Sequence, residues 1–311
     1  MNHTKTAAGQ ADTFFRAGYR LARQRLHQLA ISITAVVLFI HVIGRLVSEW
    51  STNSVCEHVP FTLPVALAVL IHRLVTSATD QHSIRRRTIT ATGVILVIAS
   101  SFMIWLDMVM TEVFFLAVGL WLGGLATVSL LAGQAAFKAS LLPFVLLAFA
   151  IAPPQGVTQL TIHHELQHLT ATTAAGLLSL AGADVLLAGT TIQIDGQYLN
   201  VAEPCSGYRF LIILLFNAIL IGGYLLGPRL ILCVMLAVTA IIIAVLTNIV
   251  RIAAAGLIMM PAGEKAATQF LHGPAVWLVY LAGSLMLLLA AMAFADQRWQ
   301  IQHVEQEGEG A

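Results

Sequence analysis

Apolar residues occur along this chain in long runs that short polar stretches interrupt. An α-helix of roughly 20 apolar residues crosses a hydrocarbon core of about 30 Å, so runs of this length predict spanning helices. The runs start near Leu29, Pro60, Thr88, Val109, Ala139, Ser206, Leu230 and Gly273. We therefore expect an all-α fold, a polytopic transmembrane helix bundle with about eight spanning helices.

The composition agrees with this pattern. Hydrophobic residues make up 58% of the 311 residues and charged residues 10%, and the mean hydropathy is +0.85. These values are unlike those of soluble globular domains. The net charge of +1 gives no reason to expect a nucleic-acid partner, and three cysteines are too few for a disulfide framework. The bilayer is the partner that the composition indicates.

The basic residues predict the orientation of the chain. Residues 1–28 carry a cluster of Lys and Arg without the pattern of a cleavable signal peptide, so we expect a cytoplasmic segment followed by an anchoring helix. The triplet Arg85 to Arg87 and Lys138 fall on the same side under alternation. We predict a transmembrane domain over residues 29–296 of a cell inner-membrane protein, with both termini cytoplasmic. Residues 297–311 form an acidic tail, whose end from Glu305 to Ala311 we expect to be disordered.

Residues 169–188 are apolar but rich in Thr, Ala and Gly, and Asp184 interrupts them. If they spanned the membrane, later basic turns would lie outside, against the charge rule. We expect an interfacial helix on the extracytoplasmic side instead. The following stretch TTIQIDGQYLNVAE alternates apolar and polar residues around Asp195 and Gly196, which predicts a small β-hairpin on the same side.

Three polar residues in the last third are costly beside lipid, and the expected topology brings them to one membrane face. Cys205 opens the sixth helix, Arg251 closes the seventh, and His272 precedes the eighth. A thiolate nucleophile, a cation for a developing oxyanion and an imidazole for proton transfer are what acyl transfer requires. A helix N-terminus at Cys205 would lower the thiol pKa, and Ser206 and Gly207 offer backbone N–H groups beside the sulfur.

Each of these residues also has a purely structural interpretation. A cysteine at a helix end is often a small buried side chain, an arginine in an apolar run can extend to the interface, and a histidine before a helix can cap it. A charged residue at a helix centre costs about 2.5–3.5 kcal/mol on insertion scales, so Arg251 is expected to face a partner or a polar cavity. The functional interpretation depends on the three residues occurring together.

A second motif suggests different chemistry. His164-Glu165-Leu166-Gln167-His168 matches HExxH, which on a helix presents two imidazoles for zinc and a glutamate as general base. Zinc catalysis also needs a third ligand, and Asp184, Asp195 and Glu203 follow without a convincing zincin spacing. The motif comes after Pro153-Pro154 in what we interpret as a polar outer loop. A membrane-bound zinc metallopeptidase is therefore the alternative function.

The order VAEPCSGYRFL, then NIVRI, then a histidine before the last helix resembles the exosortase/archaeosortase family of membrane-embedded cysteine transpeptidases. The resemblance covers mainly residues 166–294. It implies that Cys205 is the nucleophile, Arg251 the oxyanion-stabilising cation and His272 the acid/base. His163, His164 and His168 are also expected on the outer side, but His272 has the best sequence context for the acid/base. Supporting motif or substrate-binding positions are Glu203, Ser206, Gly207, Arg209 and Asn248.

The same resemblance implies the reaction and the partners. Such an enzyme cleaves C-terminal sorting tails of exported, membrane-anchored proteins at the extracytoplasmic face and transfers the product to an acceptor. The tails consist of a short motif, a hydrophobic helix and a basic cluster. This chemistry needs no metal and no organic cofactor.

Overall fold

The computed structural model describes residues 40–53, 56–79, 91–152, 157–202 and 205–309. The chain divides into two compact units, Met1–Glu49 and Trp50–Ala311. In the first unit the described residues, 40–49, are helical. The start of the first predicted span and the Arg85 to Arg87 triplet lie outside the described residues.

Seven helices within the described residues are long and apolar enough to cross a membrane. The second unit contains α1 (Val59–Thr79), α2 (Ala91–Met110), α3 (Val113–Leu131), α4 (Gly133–Leu147), α5 (Val157–Leu180), α6 (Tyr208–Ile221), α7 (Leu230–His272) and α8 (Pro274–Glu309). All of these except α5 are among the seven. The prediction of a polytopic helical bundle is confirmed, and the protein is a multi-pass membrane protein.

Helices α2 and α3 form a tight antiparallel pair joined by two residues. The Ser100 hydroxyl donates a hydrogen bond of 2.7 Å to the carbonyl oxygen of Gly119. A Cβ atom at Gly119 would lie 2.8 Å from Ile104 Cγ1, so glycine is needed for this approach. Small residues and a hydroxyl at the contact are the usual means of helix association in lipid, where the hydrophobic effect does not drive it.

Side chains from other segments satisfy the carbonyl groups at the end of α4. The helix passes into a 3-10 turn, Ala148–Ala150. His58 Nε2 lies 2.8 Å from the Phe149 carbonyl oxygen, and Trp50 Nε1 donates to the Ala150 carbonyl oxygen at 2.9 Å. The final carbonyls of a helix have no partner within the helix, and leaving them unpaired in an apolar region is costly. These two bonds therefore fix α4 to the segment before α1.

Helix α5 differs from the predicted interfacial helix at both ends. It begins at Val157, so the HELQH sequence lies on a helix and not in the predicted outer loop. It ends at Leu180, and Val185–Ala188 form strand β1 where helix was predicted. Gly182, with φ of 91°, terminates the helix, because this left-handed conformation favours glycine.

The predicted hairpin is present and gains β1 as a third strand. Strands β2 (Thr191–Ile194) and β3 (Gln197–Asn200) are antiparallel, and β1 pairs with β2 in the order β1-β2-β3. Asp195 and Gly196 have φ of 49° and 82°, as expected when both central residues of a two-residue turn adopt positive φ. The face with Ile192, Ile194 and Leu199 is buried against α5 and α7.

The last three helices pack around a separate apolar cluster of α6, α7 and α8. Helix α7 has 43 residues, and Gly263, with φ of 82° and ψ of 171°, interrupts it after Pro261. The predicted seventh helix was expected to close at Arg251, but α7 continues well beyond that residue. Helix α8 extends to Glu309, so the prediction of disorder from Glu305 is wrong for the residues up to Glu309.

Candidate functional site

Cys205 lies in the short turn between the sheet and α6. Its side chain is 3% exposed and belongs to the apolar cluster formed by α5, the sheet and α7. Its backbone N–H donates to the Ala202 carbonyl oxygen at 2.8 Å. Helix α6 starts at Tyr208 and not at Cys205, and Gly207 is its N-cap with φ of 91°. The thiol therefore precedes the first helical turn and is enclosed by protein.

Asn248 of α7 forms two hydrogen bonds that hold the Cys205 turn. Its Nδ2 donates to the Cys205 carbonyl oxygen at 3.1 Å and to Thr170 Oγ1 of α5 at 3.2 Å. A carbonyl oxygen only accepts, so this contact fixes which end of the amide is nitrogen. A Cβ atom at Gly207 would lie 2.7 Å from Asn248 Nδ2. Glycine is needed at position 207 both for its backbone conformation and for this close approach.

His163 of α5 also contacts the Cys205 turn. Ser206 Oγ lies 3.4 Å from His163 Nδ1 and accepts a hydrogen bond of 3.3 Å from the Tyr208 backbone N–H. The His163 ring packs on the Tyr208 ring with 4.4 Å between centroids. His163 and Ser206 are 8% and 2% exposed. Three helices therefore contribute polar contacts to the residues beside the thiol.

Arg251 follows Asn248 by one turn of α7 and is 4% exposed. Its guanidinium carbon lies 4.6 Å from the centroid of the Phe210 ring, in a cation–π arrangement. Among the described residues, Nε and Nη2 of Arg251 have no hydrogen-bond partner. A buried guanidinium with unused donors is costly unless an acceptor arrives. The Phe210 ring is the contact shown for the guanidinium, and the groove that Arg251 lines is largely apolar. The expectation that Arg251 faces a partner or a polar cavity therefore stays a prediction.

The electrostatics of Cys205 differ from the sequence expectation. Burial raises the pKa of the thiol above its ordinary value, and the positive charges of Arg251 and then Arg209 oppose that rise. A low pKa was predicted from a helix N-terminus at Cys205, but the helix begins three residues later and desolvation is the larger effect. Desolvation therefore disfavours the thiolate, and Arg251 is the main group that favours it.

His272 is the last residue of α7 and is exposed. It makes no hydrogen bond or ion pair with any residue that the structure describes. Phe270 and Ala275, on either side of it, line a groove of about 390 Å³ between α7 and α8 in which Arg251 is the charged lining residue. The structure thus brings the His272 segment to the level of Arg251 without joining its imidazole to Cys205.

The supporting residues predicted from sequence fall into three groups. Ser206, Gly207 and Asn248 form the Cys205 turn and its contacts, as described above. Arg209 points to the surface and forms an ion pair with Glu57. Glu203 lies outside the described residues. Exposed ion pairs contribute little to stability, so Arg209 matters here mainly through its positive charge.

The HELQH motif occupies an exposed part of α5. His164, Glu165 and His168 are exposed, while His163 beside them is buried. No group of three or more His, Cys, Asp or Glu side chains in the described part of the chain is arranged to hold a metal ion. The helical setting suits the motif, but a third ligand is not found among these residues.

Sequence reasoning named His163 only as one of several outer-side histidines and did not consider Thr170 or Phe210. For the first two, the helical spacing of buried residues was a usable signal. Among the α5 side chains that the structure describes, the buried ones recur at the spacing of one helix face: His163, Thr170, Ala171, Ala174, Ala175 and Leu178. Because the HELQH segment was predicted to be a loop, its residues were not compared for helical spacing. Phe210 of α6 contacts Arg251 of α7, and no local sequence pattern indicates a contact between two helices.

Comparison with known proteins identifies the family. The transmembrane exosortase family matches residues 50–289, well over half of the chain. The match begins far upstream of the residues 166–294 on which the resemblance in sequence was based. No curated protein matches the chain, and no solved structure does. Because the family match covers the helices, the sheet, Cys205, Arg251 and His272 together, the chain belongs to the transmembrane exosortase family.

Proposed function

We propose that this protein is a membrane cysteine transpeptidase that uses Cys205 as its nucleophile. The observation that carries the proposal is the pairing of two buried groups from distant segments. Cys205 and Arg251 are 3% and 4% exposed, and the charge of Arg251 acts on the thiol. Nε and Nη2 of Arg251 have no partner among the described residues. An anion that forms beside the sulfur during acyl transfer would provide one.

The reaction proceeds in two steps with Cys205 as the covalent carrier. The thiol transfers its proton to an imidazole, and the sulfur attacks the carbonyl carbon of a peptide bond in the substrate. The C–N bond breaks, the leaving amine takes a proton from the imidazolium, and a thioester remains on Cys205. An acceptor amine then attacks the thioester carbonyl, loses a proton, and releases the thiol. Water as acceptor would give hydrolysis by the same steps.

Arg251 and His272 have the remaining roles in this proposal. Arg251 donates hydrogen bonds to the oxyanion of each tetrahedral intermediate, where a single donor can contribute about 10²–10³ to the rate. His272 is the acid/base. It lies on the segment between Phe270 and Ala275, which border the groove at Arg251. The side chain must turn toward Cys205 when substrate binds, since catalytic hydrogen bonds often tighten only in the complex.

The proposed substrates are exported proteins that end in a sorting tail with an apolar helix and a basic cluster. The family match supports this class. The apolar lining of the groove beside Arg251 suits a substrate that arrives through the bilayer. We further propose that the site faces the extracytoplasmic side of the inner membrane and that both termini are cytoplasmic, on the basis of the basic residues in the sequence.

The decisive experiment follows cleavage of a co-expressed reporter carrying such a tail from the host's own exported proteins. We expect Cys205→Ala to abolish processing while the protein remains in the membrane. Cys233→Ala is the matched control, because Cys233 lies in the separate cluster of α6, α7 and α8. Full processing by Cys205→Ala would refute the proposed mechanism.

The same assay separates the zinc alternative. The double variant His164→Ala with His168→Ala is compared with wild type, with and without a zinc chelator. The cysteine mechanism predicts normal processing both by the double variant and by the wild-type protein in the presence of the chelator. Loss of processing in both of these samples, together with activity in Cys205→Ala, would establish a metallopeptidase.

A further inference from the structure

The polar contacts around Cys205 include a histidine that the proposed mechanism does not use. Three imidazoles of α5 occur within six residues, and only one of them, His163, is buried. Its neighbour His164 is exposed, as is His168. Burying an imidazole in an apolar cluster is unfavourable unless its ring nitrogens are bonded. The position of His163 therefore calls for a specific role.

We propose that His163 is a positioning residue for Cys205, acting through the Ser206 hydroxyl. This inference builds on the proposed function of Cys205 as the nucleophile. Ser206 Oγ accepts a hydrogen bond of 3.3 Å from the Tyr208 backbone N–H, so the hydrogen of the Ser206 hydroxyl points away from that N–H group. His163 Nδ1 lies 3.4 Å away, and in this proposal it accepts the hydrogen of the Ser206 hydroxyl. The hydroxyl thus links α5 to the first turn of α6.

This link adds to the contacts that Asn248 makes with the same turn. Asn248 holds the Cys205 carbonyl oxygen and Thr170, whereas His163 holds Ser206 and stacks on Tyr208. Together they restrain the Cys205 carbonyl group and the residues that follow it, Ser206 and Tyr208. An enzyme that forms a covalent intermediate requires its nucleophile in a narrow range of positions, and a shift of 1 Å can cost roughly 100-fold in rate. His163 therefore influences turnover more than substrate binding.

Two substitutions separate the hydrogen bond from the ring packing. His163→Phe keeps a ring to stack on Tyr208 but removes the acceptor. His163→Asn removes the ring but places an amide oxygen where Nδ1 was. We expect His163→Phe to lower kcat for reporter processing by about fivefold to tenfold with little change in KM, as for loss of one buried hydrogen bond. We expect His163→Asn to recover most of kcat.

Ser206→Ala and the exposed neighbour complete the set. Ser206→Ala should lower kcat at least as much as His163→Phe, because it also removes the acceptor of the Tyr208 backbone N–H. The double variant should be no worse than Ser206→Ala alone, because the bond between the two side chains is already lost. His164→Phe is the control at the adjacent exposed position and should leave processing unchanged. Additive losses for Ser206→Ala and His163→Phe would overturn the proposal, as would equal losses for His163→Asn and His163→Phe.

A second measurement does not depend on any substrate. The intact membrane protein is treated with N-ethylmaleimide, and labelling of Cys205 is followed by peptide mass spectrometry with Cys233 as internal reference. Loosening of the turn in His163→Phe should expose the thiol and raise its labelling rate several-fold, while His163→Asn and His164→Phe stay near wild type. Unchanged labelling in His163→Phe would contradict the inference.

The outcomes distinguish the inference from the proposed function. If Cys205→Ala processes the reporter, the proposed function fails, and the labelling comparison still tests whether His163 restrains the Ser206 turn. If Cys205→Ala is inactive while His163→Phe has wild-type kcat and labelling, the function stands and the role of His163 is wrong.

Discussion

At the scale of single residues, two opposing effects determine how reactive Cys205 is. Burial raises the pKa of the thiol, and the charge of Arg251 lowers it. Thiolate is the nucleophile, so the balance controls the fraction of reactive protein at a given pH. In the proposed mechanism, binding of a polar substrate group near Arg251 would change this balance.

This balance predicts a pH dependence for labelling of Cys205. Because the thiol pKa is raised above its ordinary value, the labelling rate should still increase with pH beyond the range in which an exposed cysteine has levelled off. Arg251→Gln removes the charge that opposes burial, so its labelling curve should move to higher pH. Arg209→Gln should move it less, since Arg209 is the smaller influence and pairs with Glu57.

The measurement is the rate of N-ethylmaleimide labelling against pH, in detergent, with peptide mapping. A curve for Arg251→Gln at the wild-type position, or at lower pH, would show that Arg251 does not act on the thiol.

A pair of glycines tests the packing of the turn. Gly207 and Gly182 have the same φ of 91°, but a Cβ atom at Gly207 meets Asn248, whereas one at Gly182 meets nothing within 4 Å. Gly182→Ala should lower the free energy of unfolding only by the strain of a left-handed backbone, on the order of 1 kcal/mol. Gly207→Ala should lose more, by about 1–3 kcal/mol, because the contact adds overpacking.

Thermal unfolding of the purified protein in detergent, with reporter processing alongside, measures the difference. Equal shifts in Tm for the two variants would show that the turn accommodates a methyl group beside Asn248.

At the scale of secondary structure, local patterns predicted most elements and failed where tertiary contacts decide. The Asp195-Gly196 turn has the sequence signal of a two-residue hairpin, and the hairpin formed there. Strand β1 carries Leu186 and Leu187 in an apolar run that reads equally well as helix. Its strand conformation comes from pairing with β2, a contact that no pattern within residues 185–188 contains.

The close contact of α2 and α3 predicts unequal effects of two helical glycines. Gly119→Ala places a methyl group 2.8 Å from Ile104 Cγ1 and near the backbone of α2, so we expect a loss of about 1–3 kcal/mol. Gly176→Ala, on α5, meets nothing within 4 Å. It should be neutral or stabilising by up to about 1 kcal/mol, from helix propensity. Chemical unfolding in mixed micelles compares them, and a Gly119→Ala variant as stable as wild type would contradict the packing argument.

At the scale of the whole molecule, helix α7 relates the site to the bilayer. From Leu230 to Arg251 a helix rises about 30 Å, which is the thickness of the hydrocarbon core. If α7 enters the hydrocarbon core at Leu230, Arg251 lies near the opposite boundary, although the helix itself continues. Phe270 and Ala275 line the groove at Arg251, while a shared membrane level for Arg251 and the segment before the last helix stays a prediction.

The geometry of the Cys205 site could be anticipated only in part. Sequence brought Cys205 and Arg251 together through topology, and the structure places the charge of Arg251 near the thiol. The roles of Cys205, Arg251 and His272 stay predictions. The sequence could not distinguish His163 from His164 and His168, because the burial of His163 depends on how α5 faces α6 and α7.

The orientation of the chain gives a test at this scale. The charge rule predicts that Asp195 in the hairpin turn is extracytoplasmic and that Arg229, in the turn before α7, is cytoplasmic. In intact cells a membrane-impermeant maleimide should label Asp195→Cys, and should label Arg229→Cys only after the membrane is made permeable. The reverse pattern would place the Cys205 site in the cytoplasm.

The Cys205 turn is held by α5, α6 and α7, and this has a consequence for how the enzyme is made. The ribosome delivers the thiol before it delivers Asn248 and Arg251. A nascent chain that has inserted only as far as α6 carries the cysteine without the amide that holds its turn or the guanidinium whose charge favours the thiolate. In the proposed mechanism, acyl transfer therefore begins only after α7 is inserted.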